Sequence, residues 1–196
     1  MDIFLIRHGM TAGNALKRYI GRTDEPLSQK GGALVQERGC FPAIHRVWVS
    51  PLLRTQQTAA ILFPNAEQRV AIDLREMDFG DFENRSADEM EDDPAYRAWV
   101  EGNCIGPCPN GEQIAGFAAR VRAAFIEAVR AEQNAKEAVF VVHGGTIMAI
   151  LSGFSAAQRS YYDWFCGNCC GWRAELSWDK DTPVLNNCAY LKELEL

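Results

Sequence analysis

No stretch of this 196-residue chain approaches the run of about 20 apolar residues that a membrane-spanning helix requires. It also lacks a Ser/Gly-rich linker, a low-complexity tract and any repeat with a period of about 20–50 residues, which argues against a solenoid or a disordered array. Basic charge is in short supply: 20 Lys and Arg stand against 26 Asp and Glu, for a formal net charge of −6. That balance argues against wholesale binding to nucleic acid or to an anionic membrane. An acidic protein that takes an anionic ligand must gather its cations in one pocket. Residues 1–6 are too short and too weakly basic a stretch for an export signal, and they read better as a first β-strand, so the expected location is cytoplasmic. The seven cysteines are odd in number, and without an export signal they read as reduced thiols rather than a disulfide framework.

What is present suits a globular enzyme. The apolar fraction is 47% and the charged fraction 23%, and the length allows one domain with a full core over residues 1–196. Apolar runs at residues 3–6, 47–49 and 138–142 have the near-continuous character of parallel strands covered on both faces. Helical patterns lie between them. Ser28 suits an N-cap for a helix through Arg38 that Gly39 would end. Pro51 suits the first turn of a helix running to about Phe63. Residues 112–133 place Ile114, Phe117, Val121, Phe125 and Ala128 on one apolar stripe. Another helix starts at Gly144, and residues 172–178 and 188–196 read as late strands. The alternation predicts a three-layer α/β/α sandwich with a mostly parallel central sheet. Residues 84–111, acidic and then rich in Gly, Pro and Asn, break the pattern and read as a small inserted cap.

Three polar clusters directly follow three of the expected strands: Arg7-His8-Gly9, Ser50-Pro51-Leu52-Leu53-Arg54-Thr55 and His143-Gly144-Gly145-Thr146. In an open parallel sheet the C-terminal strand ends share one edge, where ligands bind. The clusters therefore converge and bring two arginines and two histidines to one site. Glycines after the first and third strands let backbone amides approach a ligand, and a following helix would aim its N-terminus at an anion. Guanidinium groups offer forked donors that stay charged. Together these features indicate a phosphate site.

The segment Arg7-His8-Gly9-Met10-Thr11-Ala12-Gly13-Asn14 resembles the signature of the histidine phosphatase (phosphoglycerate mutase-like) superfamily. The resemblance continues through Gly21, Asp24, Pro26-Leu27-Ser28 and Gly31. It returns at Ser50 to Thr55 and at Leu74-Arg75-Glu76-Met77-Asp78-Phe79-Gly80, and closes at His143-Gly144-Gly145. It implies that His8 is the nucleophile and forms a phosphohistidine. Arg7, Arg54 and His143 would hold the phosphoryl oxygens, and Glu76 would give a proton to the leaving group. Asn14, Gly21, Arg22, Thr23 and Gly144 would line the phosphate pocket. No cofactor and no metal would be needed, since the cations supply the charge stabilisation. Two departures stand out: Met10 replaces a common acidic residue, and Phe82-Glu83-Asn84 replaces the more usual Trp-Glu-Gly.

The implied activity is hydrolysis of a small phosphorylated metabolite, with alpha-ribazole phosphate the nearest specific candidate and a phosphoglycerate mutase the rival. A non-catalytic phosphate-binding module is disfavoured because every catalytic group is present. A zinc- or redox-responsive protein is a third reading. Cys166, Cys169 and Cys170 contain a spacing found in zinc sites, and Cys104 and Cys108 could complete four ligands. The second pair is spaced differently, however, and no pattern brings the segments together, so buried thiols are the expectation. His45 reads as a surface residue, and Trp164, Trp172 and Trp178 as packing residues. Tyr96, Trp99 and Val100 are the cap residues able to turn toward a substrate, with the acidic run from Asp88 to Asp93 left in water.

Overall fold

Asp2-Ile3-Phe4-Leu5-Ile6-Arg7 forms strand β1 (Asp2–Arg7), and its alternation divides the core into two layers. Ile3 and Leu5 face a cluster that includes Phe117, Val121, Phe125, Ile147 and Ile150. Phe4 and Ile6 face a second cluster that includes Val35, Ala59 and Leu62. Burial of each such large apolar side chain contributes about 1.5–3 kcal/mol, which is why a strand between two helical layers carries so little polarity. The computed structural model describes residues 1–157 and 159–194.

Strands β2 (Arg46–Val49), β3 (Glu67–Val70), β4 (Glu137–Val142), β5 (Gly171–Asp179) and β6 (Thr182–Leu191) join β1 in one six-stranded sheet, ordered β3-β2-β4-β1-β5-β6. The pairs β1–β4, β2–β4 and β2–β3 are parallel. The pairs β1–β5 and β5–β6 are antiparallel. Among the helices, α1 (Ala12–Ala15) is a single turn. Helices α2 (Gln29–Glu37) and α3 (Leu53–Leu62) cover one face of the sheet. Helices α4 (Pro94–Glu101), α5 (Ile114–Ala131) and α6 (Gly144–Phe154) contribute to the opposite cluster. The expected α/β architecture is the one observed, and the sheet is mostly parallel.

Local signals explain most boundaries. Ser28 caps α2 by accepting from Gly31 N, and Gly39, at φ +95°, follows its end. Phe117, Val121, Phe125 and Ala128 are buried along α5. Several expectations shift. Helix α3 begins at Leu53, so Pro51 precedes the helix instead of opening it. Strand β6 begins at Thr182 rather than Cys188, because it pairs along the full length of β5, and residues 195–196 of the expected strand lie outside the described residues. Strand β3 had no sequence signal: Glu67-Gln68-Arg69-Val70 is a polar edge strand. Trp178 is 40% exposed with the Arg130 guanidinium over its ring, so it does not pack inward as Trp164 and Trp172 do. Among the described residues no helix is long and apolar enough to cross a membrane.

Candidate active site

Strands β2, β4 and β1 are neighbours in the sheet, so their C-terminal ends deliver Ser50, His143 and His8 to one edge. The two imidazoles meet edge to face with centroids 5.2 Å apart. His8 is 3% exposed, and its Nδ1 lies 2.6 Å from the Gly9 carbonyl oxygen. A carbonyl can only accept, so Nδ1 carries the proton and Nε2 keeps a free lone pair. Burial pushes the His8 pKa well below 6.5, and the charges of Arg54 and Arg7 push it further, with the Gly9 contact opposing. These effects favour the neutral ring, the form of imidazole that has a lone pair to give.

Arg54 comes from the first turn of α3 and is completely buried. Its guanidinium donates to the carbonyls of Thr23 at 2.8 Å, Gly21 at 2.8 Å and Ile20 at 3.3 Å. Arg7, at the end of β1, donates to the Cys166 carbonyl at 2.7 Å and lies 5.4 Å from the Phe165 ring centroid. Among the described residues neither guanidinium pairs with a carboxylate. His143 Nε2 lies 2.7 Å from Ser50 Oγ, and burial lowers its pKa well below 6.5, with Arg54 and His8 adding to the effect. Among the described residues, Arg7 Nε, Arg54 Nε and His143 Nδ1 are buried without a hydrogen-bond partner. A buried unsatisfied polar atom costs about 1–3 kcal/mol, and folds retain that cost mainly where the atom has a job.

Glu76 completes the group. It is 8% exposed, and burial raises its pKa above 4.5 against the opposing pull of the Met77 and Gly145 amides and of Arg54. Its Oε1 accepts from Met77 N and its Oε2 from Gly145 N, both at 2.9 Å. The α6 N-terminus thus holds the carboxyl of Glu76, a different use from the anion contact its sequence suggested. A Cβ at Gly145 would lie 2.2 Å from Glu76 Oε1, so glycine is needed for that close approach. Burial shifts Glu76 toward its protonated form and both imidazoles toward the neutral form, which leaves the two guanidinium groups as the charges opposite in sign to a phosphate monoester dianion.

Asn14 lines the same cavity, about 300 Å³ in volume, beside Arg7, His8, Glu76 and Gly144. Gly21 and Thr23 act from behind, through the carbonyls that hold Arg54. Arg22 points outward, 63% exposed and paired with Asp78 at 3.2 Å. In the segment of residues 84–111, Tyr96 and Trp99 are buried and Trp99 lines the cavity, whereas Val100 is 45% exposed and does not turn inward.

A model of the histidine phosphatase superfamily (branch 1) matches residues 3–189. The chain belongs to that family. A probable phosphoglycerate mutase GpmB of Enterobacter sp. (strain 638) is 33% identical over 170 residues, covering 81% of this chain and 79% of that one. Among solved structures, an alpha-ribazole phosphatase from Shigella flexneri superposes with a TM-score of 0.76 at 25% identity, covering 97% of this chain and 96% of that one. A phosphoglycerate mutase from Thermus thermophilus superposes with a TM-score of 0.70 at 26% identity, covering 97% of this chain and 98% of that one.

Around this candidate site the structure adds supporting contacts, and those of Asn168 and Arg120 come from residues that the sequence did not single out. Asn168 Nδ2 donates to the His8 carbonyl at 3.0 Å and to Asn14 Oδ1 at 3.2 Å. Glu83 accepts from Gly21 N, Arg22 N, Thr23 Oγ1 and Phe79 N, and so shapes the turn whose carbonyls hold Arg54. Arg120 donates to the Glu76 carbonyl at 2.8 Å and pairs with Glu112 at 2.7 Å. Asn84 sits at φ +57°, a left-handed conformation that asparagine tolerates. Among the described residues no group of three or more His, Cys, Asp or Glu is arranged to hold a metal ion. Cys166 and Cys169 are buried, with burial pushing their thiols up to about 12 and about 11. Their segment serves the site through its backbone: the Cys166 carbonyl binds Arg7, and Cys169 N donates to the Arg7 carbonyl at 3.1 Å. His45 is exposed, as expected.

Proposed function

We propose that the protein is a phosphomonoesterase that hydrolyses a small phosphorylated metabolite through a phosphohistidine at His8. The observation that carries this reading is the pairing of a neutral His8, with its free lone pair on Nε2, and a buried Glu76 whose carboxyl favours the protonated form. His8 Nε2 attacks phosphorus and the P–O bond to the leaving alcohol breaks. Glu76 gives its proton to that oxygen. A water then attacks the phosphohistidine, Glu76 takes back a proton, and inorganic phosphate leaves. Arg7, Arg54 and His143 hold the phosphoryl oxygens through both steps, which is the main demand of phosphoryl transfer. Asn14 and Gly144 border the phosphate end. Gly21 and Thr23 support it through Arg54, and Arg22, which points outward to Asp78, takes no direct part. Residues 84–111 act as a cap on one domain that spans residues 1–196.

Alpha-ribazole phosphate is the specific candidate, supported by the likeness to the Shigella flexneri phosphatase. Phosphoglycerate mutation is the second reading, favoured by the 33% identity to the Enterobacter relative. Incubation with alpha-ribazole phosphate and, separately, with 3-phosphoglycerate separates them. Phosphate release from the first supports hydrolysis. Formation of 2-phosphoglycerate without phosphate release would replace this reading with the mutase.

A further inference from the structure

Beyond the phosphate end, the cavity is walled by Tyr19, Phe79, Trp99, Met148, Tyr162 and Phe165. Tyr162 and Phe165 stand at its rim, 53% and 59% exposed. The polar atoms of two of these rings are already engaged: Trp99 Nε1 donates to the Gly106 carbonyl and Tyr19 Oη pairs with Tyr96 Oη. Apart from the Tyr162 hydroxyl at the rim, this wall offers ring faces and edges rather than donors. Arg18 is the one lining cation beyond Arg7 among the described residues, and its fork is taken. Its Nη2 meets Glu89 Oε1 at 2.6 Å, its Nε meets Glu89 Oε2 at 3.1 Å, and its Nη1 meets Asn84 Oδ1 at 3.4 Å. Glu89 is itself fixed by the Ser86 amide at 2.8 Å.

We propose that Glu89, by occupying the fork of Arg18, makes the leaving-group end of the cavity selective for phosphomonoesters of uncharged, flat apolar alcohols and against esters that carry a second anionic group. The proposal rests on the phosphomonoesterase reading. A carboxylate or second phosphate on the leaving group would meet an ion pair with no net charge. To reach Arg18 it would have to displace a carboxylate that the Ser86 amide holds in place, with like-charge repulsion on the way in. An aromatic or otherwise apolar leaving group meets no such obstacle and gains burial against the rings.

The test compares kcat/KM for 1-naphthyl phosphate and 3-phosphoglycerate in the native protein, in Glu89→Gln, and in Glu89→Gln combined with Arg18→Met. The native protein should prefer the naphthyl ester. Glu89→Gln keeps an acceptor for Ser86 N but frees the Arg18 charge, so the ratio should shift toward 3-phosphoglycerate by about fivefold, the size expected of one partly exposed ion pair. Added salt should shrink that shift, and the double variant should abolish it. Glu91→Gln, an exposed acid in the same run, should leave the ratio unchanged. A native preference for 3-phosphoglycerate, or a ratio that Glu89→Gln does not move, would overturn the proposal. Failure of both esters to label His8 or to release phosphate would instead overturn the phosphomonoesterase reading beneath it.

Discussion

The side-chain amide of Asn168 donates to Asn14 Oδ1 at 3.2 Å, and this contact decides which way the Asn14 amide points. Asn14 Oδ1 also accepts from Thr11 N at 3.3 Å, so both contacts claim its oxygen and leave its NH₂ group available to the cavity it lines. The same Asn168 nitrogen holds the His8 carbonyl. Asn168→Ala should therefore lower kcat/KM for any phosphomonoester by about tenfold or more, the scale of one or two lost buried hydrogen bonds. Asn168→Asp should be worse, because it sets a carboxylate against two oxygens that can only accept. Competitive inhibition by vanadate should weaken in parallel. Full activity in Asn168→Asp would show that the contact orients nothing.

His8→Ala should abolish turnover and leave the far-ultraviolet circular dichroism unchanged, because the strand ladder of β1 ends before the substituted side chain. Rapid quench with a ³²P-labelled ester should place label on His8 in the native protein and none in the variant. Near-normal turnover by the variant would remove the covalent mechanism.

Chelation should have no effect on activity. On the proposed mechanism the charge stabilisation comes from the guanidinium groups of Arg7 and Arg54, with no call on a metal ion. Dialysis against EDTA followed by assay with and without added divalent ions checks this. Activity that falls in EDTA and returns with an ion would mean that a metal shares the site.

The pH profile follows from two shifts of opposite sign. Burial lowers the His8 pKa well below 6.5 and raises that of Glu76 above 4.5. On the proposed mechanism the active form has His8 neutral and Glu76 protonated. Protonation of His8 on the way down therefore sets an acid limb below pH 6.5, and ionisation of Glu76 on the way up sets an alkaline limb above pH 4.5. The profile of kcat/KM, which reports the free enzyme, should be bell-shaped for an alkyl ester. Glu76→Gln should lower kcat for that ester by about 10²–10⁴-fold and barely affect formation of the phosphohistidine from p-nitrophenyl phosphate, whose leaving group needs no proton. An alkaline limb that survives Glu76→Gln would assign it to another group.

The shared position of His8, Arg7, Arg54 and His143 was legible in the sequence because each sits within a few residues of an apolar strand, and a parallel sheet brings strand ends together. The supporting residues were not. Asn168 reaches Asn14 across 154 positions and Arg120 reaches Glu76 across 44, and nothing in an isolated Asn or Arg announces such a partner. Residues 166–170 drew attention through their thiols, yet the site uses their backbone and the asparagine between them. Strand β3 was hidden for a related reason. At the sheet edge, Glu67-Gln68-Arg69-Val70 takes its conformation from pairing with β2, without the apolar run that marks a buried strand.

Gly145 offers a way to move the Glu76 acid without touching its chemistry. An added Cβ would fall 2.2 Å from Glu76 Oε1 and 3.0 Å from its Cδ, well inside van der Waals contact. The carboxyl cannot swing away freely, because the amides of Met77 and Gly145 pin its two oxygens at 2.9 Å and the group is buried. One of those hydrogen bonds must therefore break, and the carboxyl must leave its position. The helix itself should accept alanine, since Gly145 lies in the first turn of α6 and its φ is not positive, and alanine exceeds glycine in helix propensity by about 1 kcal/mol. Gly145→Ala should thus leave Tm unchanged or slightly higher while kcat on an alkyl ester falls toward the level of Glu76→Gln. Phosphohistidine formation from p-nitrophenyl phosphate should persist. Combining the two substitutions should cost little more than Glu76→Gln alone, because both act on one group. Additive losses in the double variant would mean that Gly145 serves the phosphoryl group directly through its own amide, and that the α6 N-terminus binds the anion after all.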